Sequence, residues 1–499
     1  MTLIRRFLKH LALAIAYGLI GSAIVLVGFY IYGLERRPDL KIWHMAELHA
    51  EFRAEQAGDI STLDDYRGIE ELLFQQLQEQ VYARIDDSDR RLINRYSSDS
   101  LMDPTAYPSN WNRTFELGQQ TAKAGIVLLH GLSDSPYSMR ALGQQLHGSG
   151  FHVVGLRLPG HGTAPSGLLK VKWQDFAAAV RLAVRHVRET IGLDKPLYIA
   201  GYSNGAALAV EYSLAVLEGE DLPAADGLIL LSPAIGVSPV AALAIWQSRL
   251  GYITGLEKLA WNSIGPEFDP YKYNSFAVNA GDQIYQLTQN IAQRISLLAG
   301  PDGVRGFPRT LAFQSVVDAT VPPAVLIDSL FMKLAPEGHQ LVLFDVNRNA
   351  EAEPLLKSDP ETLTRQLFSE IALPFDLTLV TNASVISDAV VARRKQALVQ
   401  QSHDVSLDLS WPPGLFSLSH VSVPFAPDDP VYGDLANDSD DETITLGSVV
   451  IRGERNLLQI PDDYFLRLRY NPFFPYLSQR LTAFFQAEMD AEIESPSRR

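Results

Sequence analysis

The sequence predicts an α/β protein with a mostly parallel central sheet, and two observations support this class. Short apolar runs alternate with longer helical patterns through the middle of the chain, as they do when each strand is followed by a crossover helix. Gly201-Tyr202-Ser203-Asn204-Gly205 stands where one such run gives way to an alanine-rich helix pattern. A serine placed there is exposed on a sharp strand-to-helix turn.

The predicted elements follow in chain order. The strand-like runs are 113–117, 126–129, 152–156, 197–200, 228–231, 310–314 and 341–346. The helix patterns between the early strands are 138–147, 173–190 and 206–217, the first of them introduced by Pro136. Parallel strands need such crossover connections, so the alternation predicts a sheet covered by helices on both faces.

The N-terminus carries the pattern of a membrane anchor. Arg5, Arg6 and Lys9 precede residues 11–34, an uncharged run of about two dozen residues and therefore long enough to cross a bilayer. We expect a single-pass anchor over residues 1–37, with the body of the chain on the non-cytoplasmic side. The alternative is a cleaved signal peptide, but the apolar run continues to Tyr32, beyond the cleavage-like Gly21-Ser22-Ala23.

The remaining chain divides into an extension and one large domain. Residues 38–111 are polar with a helical repeat, and residues 112–489 hold the alternating elements. Within that domain, about 234–307 predicts a mainly helical cap insertion, because an unstructured loop of that length is uncommon. A second insertion, about 349–413, shows strand-like runs at 376–380 and 405–409 and a helix pattern at 387–400. A C-terminal helix is predicted at 476–489.

Composition excludes several classes of function. The net charge of −16 argues against nucleic acid as a partner, and the absence of cysteine excludes disulfides and thiolate metal sites. No dinucleotide or phosphate-binding glycine motif follows a strand, and no His/Asp/Glu spacing is typical of a metal site. The sequence therefore predicts no cofactor and no metal, and leaves the oligomeric state open.

Four motifs together resemble the α/β-hydrolase superfamily. They are Leu129-His130-Gly131-Leu132, Leu158-Pro159-Gly160-His161-Gly162, the Gly201–Gly205 turn, and Asp318 followed by Val321-Pro322. The pattern is most similar to the monoacylglycerol-lipase-like branch, which also includes serine aminopeptidases. The resemblance covers roughly residues 112–346, resumes near 415, and implies the α/β-hydrolase fold with a nucleophile, acid and base in the order Ser, Asp, His.

The predicted catalytic residues are Ser203, Asp318 and His420. Asp318 follows the strand-like run 310–314, which puts its carboxylate at the sheet edge where the turn presents Ser203. His420 follows all the predicted strands. His339 and His403 are the alternative bases, but each precedes a strand-like run, which places it at the opposite edge.

The resemblance also implies an oxyanion hole formed by the backbone amides of Leu132 and Asn204, with structural roles for His130 and His161. The predicted function is a membrane-anchored serine hydrolase that cleaves carboxylic esters, including acylglycerols, through an acyl-enzyme. Its predicted partners are a lipid or other small-molecule ester and the membrane. An acyltransferase, a thioesterase or a peptidase with the same three residues is the alternative, as is a non-catalytic binding protein on a hydrolase fold.

Overall fold

The structure is a computed structural model. It describes residues 2–494 except 91–92, 99, 120, 237–256, 351–355, 358, 370–372, 435–445 and 449–467, and it leaves out some side chains in the first and last helices.

Ten α-helices are used in this description. They are α1 (Thr2–Glu35), α2 (Ile42–Met45), α3 (Leu63–Gln80), α4 (Arg140–Gly148), α5 (Trp173–Ile191), α6 (Asn204–Leu217), α7 (Val278–Leu298), α8 (Pro323–Ser329), α9 (Glu361–Ser369) and α10 (Phe474–Glu494).

The strands are β1 (Phe115–Leu117), β2 (Ala124–Leu129), β3 (Phe151–Leu156), β4 (Leu197–Tyr202), β5 (Gly227–Leu231), β6 (Trp261–Ser263), β7 (Phe276–Ala277), β8 (Arg309–Ser315), β9 (Gln340–Phe344), β10 (Asp376–Asn382), β11 (Ala389–Lys395) and β12 (Ser402–Ser410). Ten of them form one sheet in the order β1-β3-β2-β4-β5-β8-β9-β10-β11-β12. Seven neighbouring strands of this sheet, in the order β3-β2-β4-β5-β8-β9-β10, run parallel to one another. At the two ends of the sheet, β1, β11 and β12 pair antiparallel. The predicted mostly parallel sheet is confirmed.

The central strands are buried on both faces. Every residue of β2, β3, β4 and β5 is buried, which explains why these strands read as continuous apolar runs rather than alternating ones. Helix α5 packs beside β2 and β3, and α6 packs beside β4. Apolar side chains therefore fill both faces of the sheet, and the strands form a rigid base for the loops at their carboxyl ends.

Within the predicted cap the structure describes residues 234–236 and those from 257 onward, so the aromatic residues Trp246 and Tyr252 lie outside the described residues. The described part holds the two-stranded sheet β6–β7 and the 21-residue helix α7. The chain before the sheet contacts this region. Directly after α1, the Arg37 guanidinium donates to the Trp261 carbonyl at 2.7 Å. His44 Nε2 also lies 2.9 Å from Ser275 Oγ. The division of the chain into domains stays a prediction.

The predicted helix at 387–400 is wrong, because this segment forms strand β11 instead. Val390 and Val391 are β-branched, and their neighbours pair with β10 on one side and β12 on the other. The three strands β10, β11 and β12 thus extend the central sheet beyond β9 rather than forming a separate unit.

The predicted single-pass membrane anchor, and with it the predicted membrane localisation, is also wrong. A spanning helix needs about 20 consecutive apolar residues. Among the residues that the structure describes, no helix is both long and apolar enough to cross a membrane. Arg5, Arg6 and Lys9, which were expected to precede the apolar helix, lie inside α1.

Buried histidines make stability depend on pH. His339 is fully buried, its ring nitrogens have no hydrogen-bond partner among the described residues, and burial, with Arg309 nearby, lowers its pKa to about 4. The unfolded chain therefore binds more protons than the folded chain between pH 6.5 and 4, and stability falls as pH falls through that window.

We predict that His339→Leu reduces this loss. Between pH 7 and pH 5 the wild type should lose about 2 kcal/mol more of its unfolding free energy than the variant does, measured by urea unfolding. His403→Leu, on the exposed edge strand β12, is the matched control and should keep the wild-type pH dependence. Equal losses in the wild type and His339→Leu would contradict the burial of a neutral imidazole.

Candidate active site

Ser203 lies between β4 and α6 with an unusual backbone. Its φ of 52° and ψ of −112° are rare for a residue with a side chain and cost about 1–3 kcal/mol. Backbone hydrogen bonds hold the turn, because the Ser203 amide donates to the Leu231 carbonyl at 2.9 Å. The Ser203 carbonyl in turn accepts from the amides of Ala206, Ala207 and Ala234. The strained turn is thus fixed from both sides.

The two glycines of the turn permit a close approach of neighbouring backbone. A Cβ atom at Gly201 would lie 2.3 Å from the carbonyl carbon of Gly205. A Cβ atom at Gly205 would lie 2.2 Å from the Leu129 carbonyl oxygen at the end of β2. Because both contacts are with backbone, no side-chain movement could relieve them, and only glycine suits these positions.

The structure brings the predicted base and acid to Ser203. His420 Nε2 lies 3.1 Å from Ser203 Oγ, and His420 Nδ1 lies 2.8 Å from Asp318 Oδ2. The other carboxylate oxygen of Asp318 accepts the amides of Thr320 at 3.0 Å and Val321 at 2.8 Å. Asp318 and His420 are both buried, so the carboxylate is held in one orientation and the imidazole is aligned by it.

His420 reaches this place because the chain returns from the far edge of the sheet. In the loop after β12, the Phe416 carbonyl accepts the backbone amide of Asn347 at 2.7 Å. The Leu415 carbonyl accepts the side-chain amide of Asn347 at 2.9 Å. On the other side of the loop, Ser419 Oγ donates to the Leu468 carbonyl at 3.0 Å. Asn347 and Ser419 thereby attach the loop that carries His420 to β9 and to the C-terminal part of the chain.

The predicted oxyanion donors occupy the expected positions in the chain. Asn204 is the first residue of α6 and directly follows Ser203. Leu132 packs against Ala234, which is near the Ser203 turn, and against Val321, which is near the Asp318 turn. The backbone amides of Leu132 and Asn204 donate to no acceptor within the described part of the chain. Backbone amides that have no protein partner are suited to bind a negatively charged oxygen.

His130 and His161 support the loops around the site. His130 Nε2 accepts the Leu158 amide at 3.0 Å, and its Nδ1 lies 2.8 Å from the Gly131 carbonyl oxygen. The His161 ring packs edge-on against His130, with ring centroids 4.9 Å apart. Burial lowers the pKa of His161 to about 3 and keeps that of His130 well below its usual range. Both imidazoles are therefore neutral at ordinary pH and connect two loops.

The two alternative bases lie elsewhere. His339 directly precedes β9 and packs near Phe307. His403 lies in the edge strand β12, paired with Arg394 of β11. Among the three candidate histidines, His420 is the one with hydrogen-bond contacts to Ser203 and Asp318.

A buried polar network, which the sequence did not reveal, connects the cap to the site. Lys272 Nζ donates to Asp134 Oδ1 at 2.6 Å, and the Tyr273 amide donates to the Ser133 carbonyl at 2.8 Å. Both contacts attach the loop after β2, which holds Leu132, to the segment before β7. Asp134 is buried, and burial raises the pKa of its carboxyl although Lys272 acts in the opposite direction.

Two further buried carboxylates extend this network. Asp269 accepts the Arg469 guanidinium at 2.8 Å and the Tyr432 hydroxyl, while Asp429 accepts the Tyr137 hydroxyl at 2.8 Å. These residues are far apart in the sequence, so no local motif could have predicted that they meet. The sequence offered only one sign of this network, which is that acidic and aromatic side chains occur together in segments that the structure shows to be buried.

Comparison with known proteins extends the description of the fold. Residues 120–323 match the serine aminopeptidase S33 family. The chain is 24% identical over 223 residues to a thermostable monoacylglycerol lipase of Bacillus sp. (strain H-257), covering 45% of this chain and 81% of the relative. It is 30% identical over 168 residues to the phospholipase YtpA of Bacillus subtilis (strain 168), covering 34% of this chain and 56% of the relative.

One of the solved structures that resemble the chain is the monoacylglycerol lipase of Paleococcus ferrophilus. It is 18% identical, with a TM-score of 0.36 over 46% of this chain and 88% of that one.

The family match and the two relatives confirm the class of protein that the sequence predicted. The chain is a hydrolase with the α/β-hydrolase fold. Within this fold it is similar to the monoacylglycerol-lipase-like branch. The catalytic roles of the individual residues stay a prediction at this point.

We predict that Gly205→Ala disrupts the turn. The added Cβ would collide with the Leu129 carbonyl, so the variant should lose about 1–3 kcal/mol of unfolding free energy and most of its reactivity at Ser203. Gly68→Ala is the control, because Gly68 lies exposed inside α3 with nothing within 4 Å of the added atom. It should gain about 1 kcal/mol and keep its reactivity. Urea unfolding of both variants tests the prediction, and a Gly205→Ala protein as stable as the wild type would contradict it.

Proposed function

We propose that the chain is a serine hydrolase that cleaves carboxylic esters of lipids, with Ser203 as nucleophile, His420 as base and Asp318 as the residue that orients the base. The observation that carries the proposal is the position of the His420 imidazole, between Ser203 Oγ at 3.1 Å and Asp318 Oδ2 at 2.8 Å. A serine hydroxyl is a weak nucleophile at its free pKa, and it becomes effective when a neighbouring base removes its proton.

The proposed reaction begins with acylation. Ser203 Oγ attacks the ester carbonyl carbon while its proton moves to His420 Nε2, and the carbonyl oxygen becomes an oxyanion. The amides of Leu132 and Asn204 would stabilise that charge, and Asp318 would stabilise the imidazolium that forms. The protonated His420 then gives its proton to the leaving alcohol as the ester bond breaks, and an acyl-enzyme remains.

Deacylation repeats the same steps with water. His420 takes a proton from water, the hydroxide attacks the acyl carbon, and the bond to Ser203 Oγ breaks as the serine regains its proton. The backbone amides of Thr320 and Val321 donate hydrogen bonds to the Asp318 carboxylate and hold it in place through both halves of the reaction. The residue thus has a fixed position in the cycle and need not change its protonation state.

The substrate class rests on the relatives. The two curated proteins that the chain resembles are a monoacylglycerol lipase and a phospholipase, so we propose an acylglycerol or a similar lipid ester. Acyl transfer to an alcohol and hydrolysis of a thioester would use the same residues. Peptide hydrolysis is a second candidate, because the matched family is described as a serine aminopeptidase family.

The first functional prediction concerns Ser203 and His420. Ser203→Ala should abolish covalent labelling by a fluorophosphonate, and both Ser203→Ala and His420→Ala should lower ester turnover by about 10⁴-fold or more. His339→Ala and His403→Ala are matched histidine controls and should change turnover by less than about tenfold. Labelling of another serine, or near-normal turnover by His420→Ala, would overturn the assignment.

The second concerns the reaction. The wild type should cleave monoacylglycerols with a higher kcat/KM than aminoacyl arylamides, and mass spectrometry should find the free fatty acid as the main product. Both activities should disappear together in Ser203→Ala if one site catalyses them. Faster cleavage of the arylamides would favour the peptidase, and a transesterified product in the presence of glycerol would favour the acyltransferase.

A further inference from the structure

A cluster of two imidazoles and one carboxylate lies at the β1 edge of the sheet, with a ligand atom from each within 4.8 Å of the others. Glu116 Oε1 is 2.8 Å from His152 Nε2 and 3.0 Å from His186 Nε2. The three residues belong to β1, β3 and α5, so they are distant in sequence and share no local metal-binding motif.

The sheet register explains why they meet. Glu116 pairs with Val154 across the antiparallel β1–β3 ladder, and His152 lies two residues before Val154. Side chains two apart on a strand point to the same face, so Glu116 and His152 share one face of the sheet. Helix α5 packs against β3, and His186 is one of its residues.

His152 is the residue that needs an explanation. It is only 3% exposed, and neither of its ring nitrogens has a hydrogen-bond partner among the residues the structure describes. Its Nε2 lies 2.8 Å from Glu116 Oε1. A buried polar group without a partner costs about 1–3 kcal/mol. A cation between the imidazoles and the carboxylate would supply the missing interaction.

The charges around the cluster suit a cation held by a fixed carboxylate. Glu116 Oε1 faces His152 Nε2 at 2.8 Å and His186 Nε2 at 3.0 Å. The Arg67 guanidinium donates to the second oxygen, Oε2, at 2.6 Å and also contacts Asp64 at 3.3 Å. Arg67 thus orients Glu116 from the outer side and leaves Oε1 directed toward the imidazoles.

We propose that Glu116, His152 and His186 form a binding site for Zn²⁺. Two imidazole nitrogens and one carboxylate oxygen are ligands that zinc prefers, whereas Mg²⁺ and Ca²⁺ favour sites made of oxygen alone. The side chains of Glu116 and His186 are 21% and 23% exposed, which gives the ion a path from solvent and leaves a fourth position for water.

The ion would have a structural role. His152 lies near the start of β3, whereas Ser203 follows the end of β4, and β3 and β4 run parallel to the same neighbour, β2. The cluster is therefore at the opposite edge of the sheet from Ser203. Bound zinc would join the short edge strand β1 to β3 and α5 and stabilise that end of the sheet.

The test measures binding of zinc alone to the full chain without a histidine tag. All proteins carry His420→Ala, so that the imidazole beside Ser203 does not contribute a second site. Competition against a chromophoric zinc indicator should find one ion per chain, and zinc should raise the melting temperature. Adding Glu116→Gln or His186→Ala should weaken binding by at least about tenfold, since even outer-shell changes cost about 10–100-fold in metal affinity. Both changes should also remove the thermal shift.

His403→Ala in the same background is the matched control and should bind zinc as its parent does. If Glu116→Gln does not fold, the partly exposed His186→Ala provides the comparison on its own. Equal affinity in the parent, the site variants and the control would overturn the proposal, as would a parent that binds no zinc. Magnesium or calcium binding as tight as zinc binding would contradict the choice of ion.

Discussion

The backbone of Ser203 is the constraint on which the rest of the site depends. A residue with φ of 52° and ψ of −112° is strained, and it persists only because its surroundings permit no alternative. The amide of Ser203 is bonded to β5, and its carbonyl is bonded to the first turn of α6 and to Ala234. Gly201 and Gly205 then let β4, α6 and the end of β2 approach within distances that a side chain would forbid.

The other parts of the chain bring groups to this fixed serine. Strand β8 ends in the turn that carries Asp318, and the loop after β12 crosses back to carry His420. That loop is attached to Asn347 and to the segment around Leu468, so the position of the imidazole depends on β9 and on the C-terminal region. The described part of the cap holds the loop after β2 through the Lys272–Asp134 pair. Each proposed catalytic group is therefore supported by a different region of the molecule.

Local patterns were sufficient to predict the sheet, the Gly201–Gly205 turn and the place of Asp318 just after β8. Buried parallel strands read as apolar runs, and parallel strands place their carboxyl ends at one edge. His420 could be chosen only from chain order and from its place after the last predicted strand, because no motif surrounds it.

The failures have physical causes as well. The helix pattern at 387–400 is a strand because pairing with β10 and β12 outweighs local propensity. The buried Asp269 and Asp429 and the Glu116–His152–His186 cluster depend on contacts between distant segments, so spacing along the chain carried no signal for them. The uncharged run 11–34 and the basic residues before it suggested an anchor, but no helix among the described residues is long and apolar enough to cross a membrane.

The central claim is that His420 shares its Nδ1 proton with Asp318 while its Nε2 faces Ser203. Proton NMR of the chain labelled with ¹⁵N-histidine tests it most directly, because a proton held between a buried imidazole and a carboxylate resonates far downfield of ordinary amides. We predict one such signal, coupled to an imidazole nitrogen, that is absent from His420→Ala and from Asp318→Asn and that shifts when a phosphonate reacts with Ser203. A spectrum without the signal, or one in which it survives in Asp318→Asn, would contradict the account.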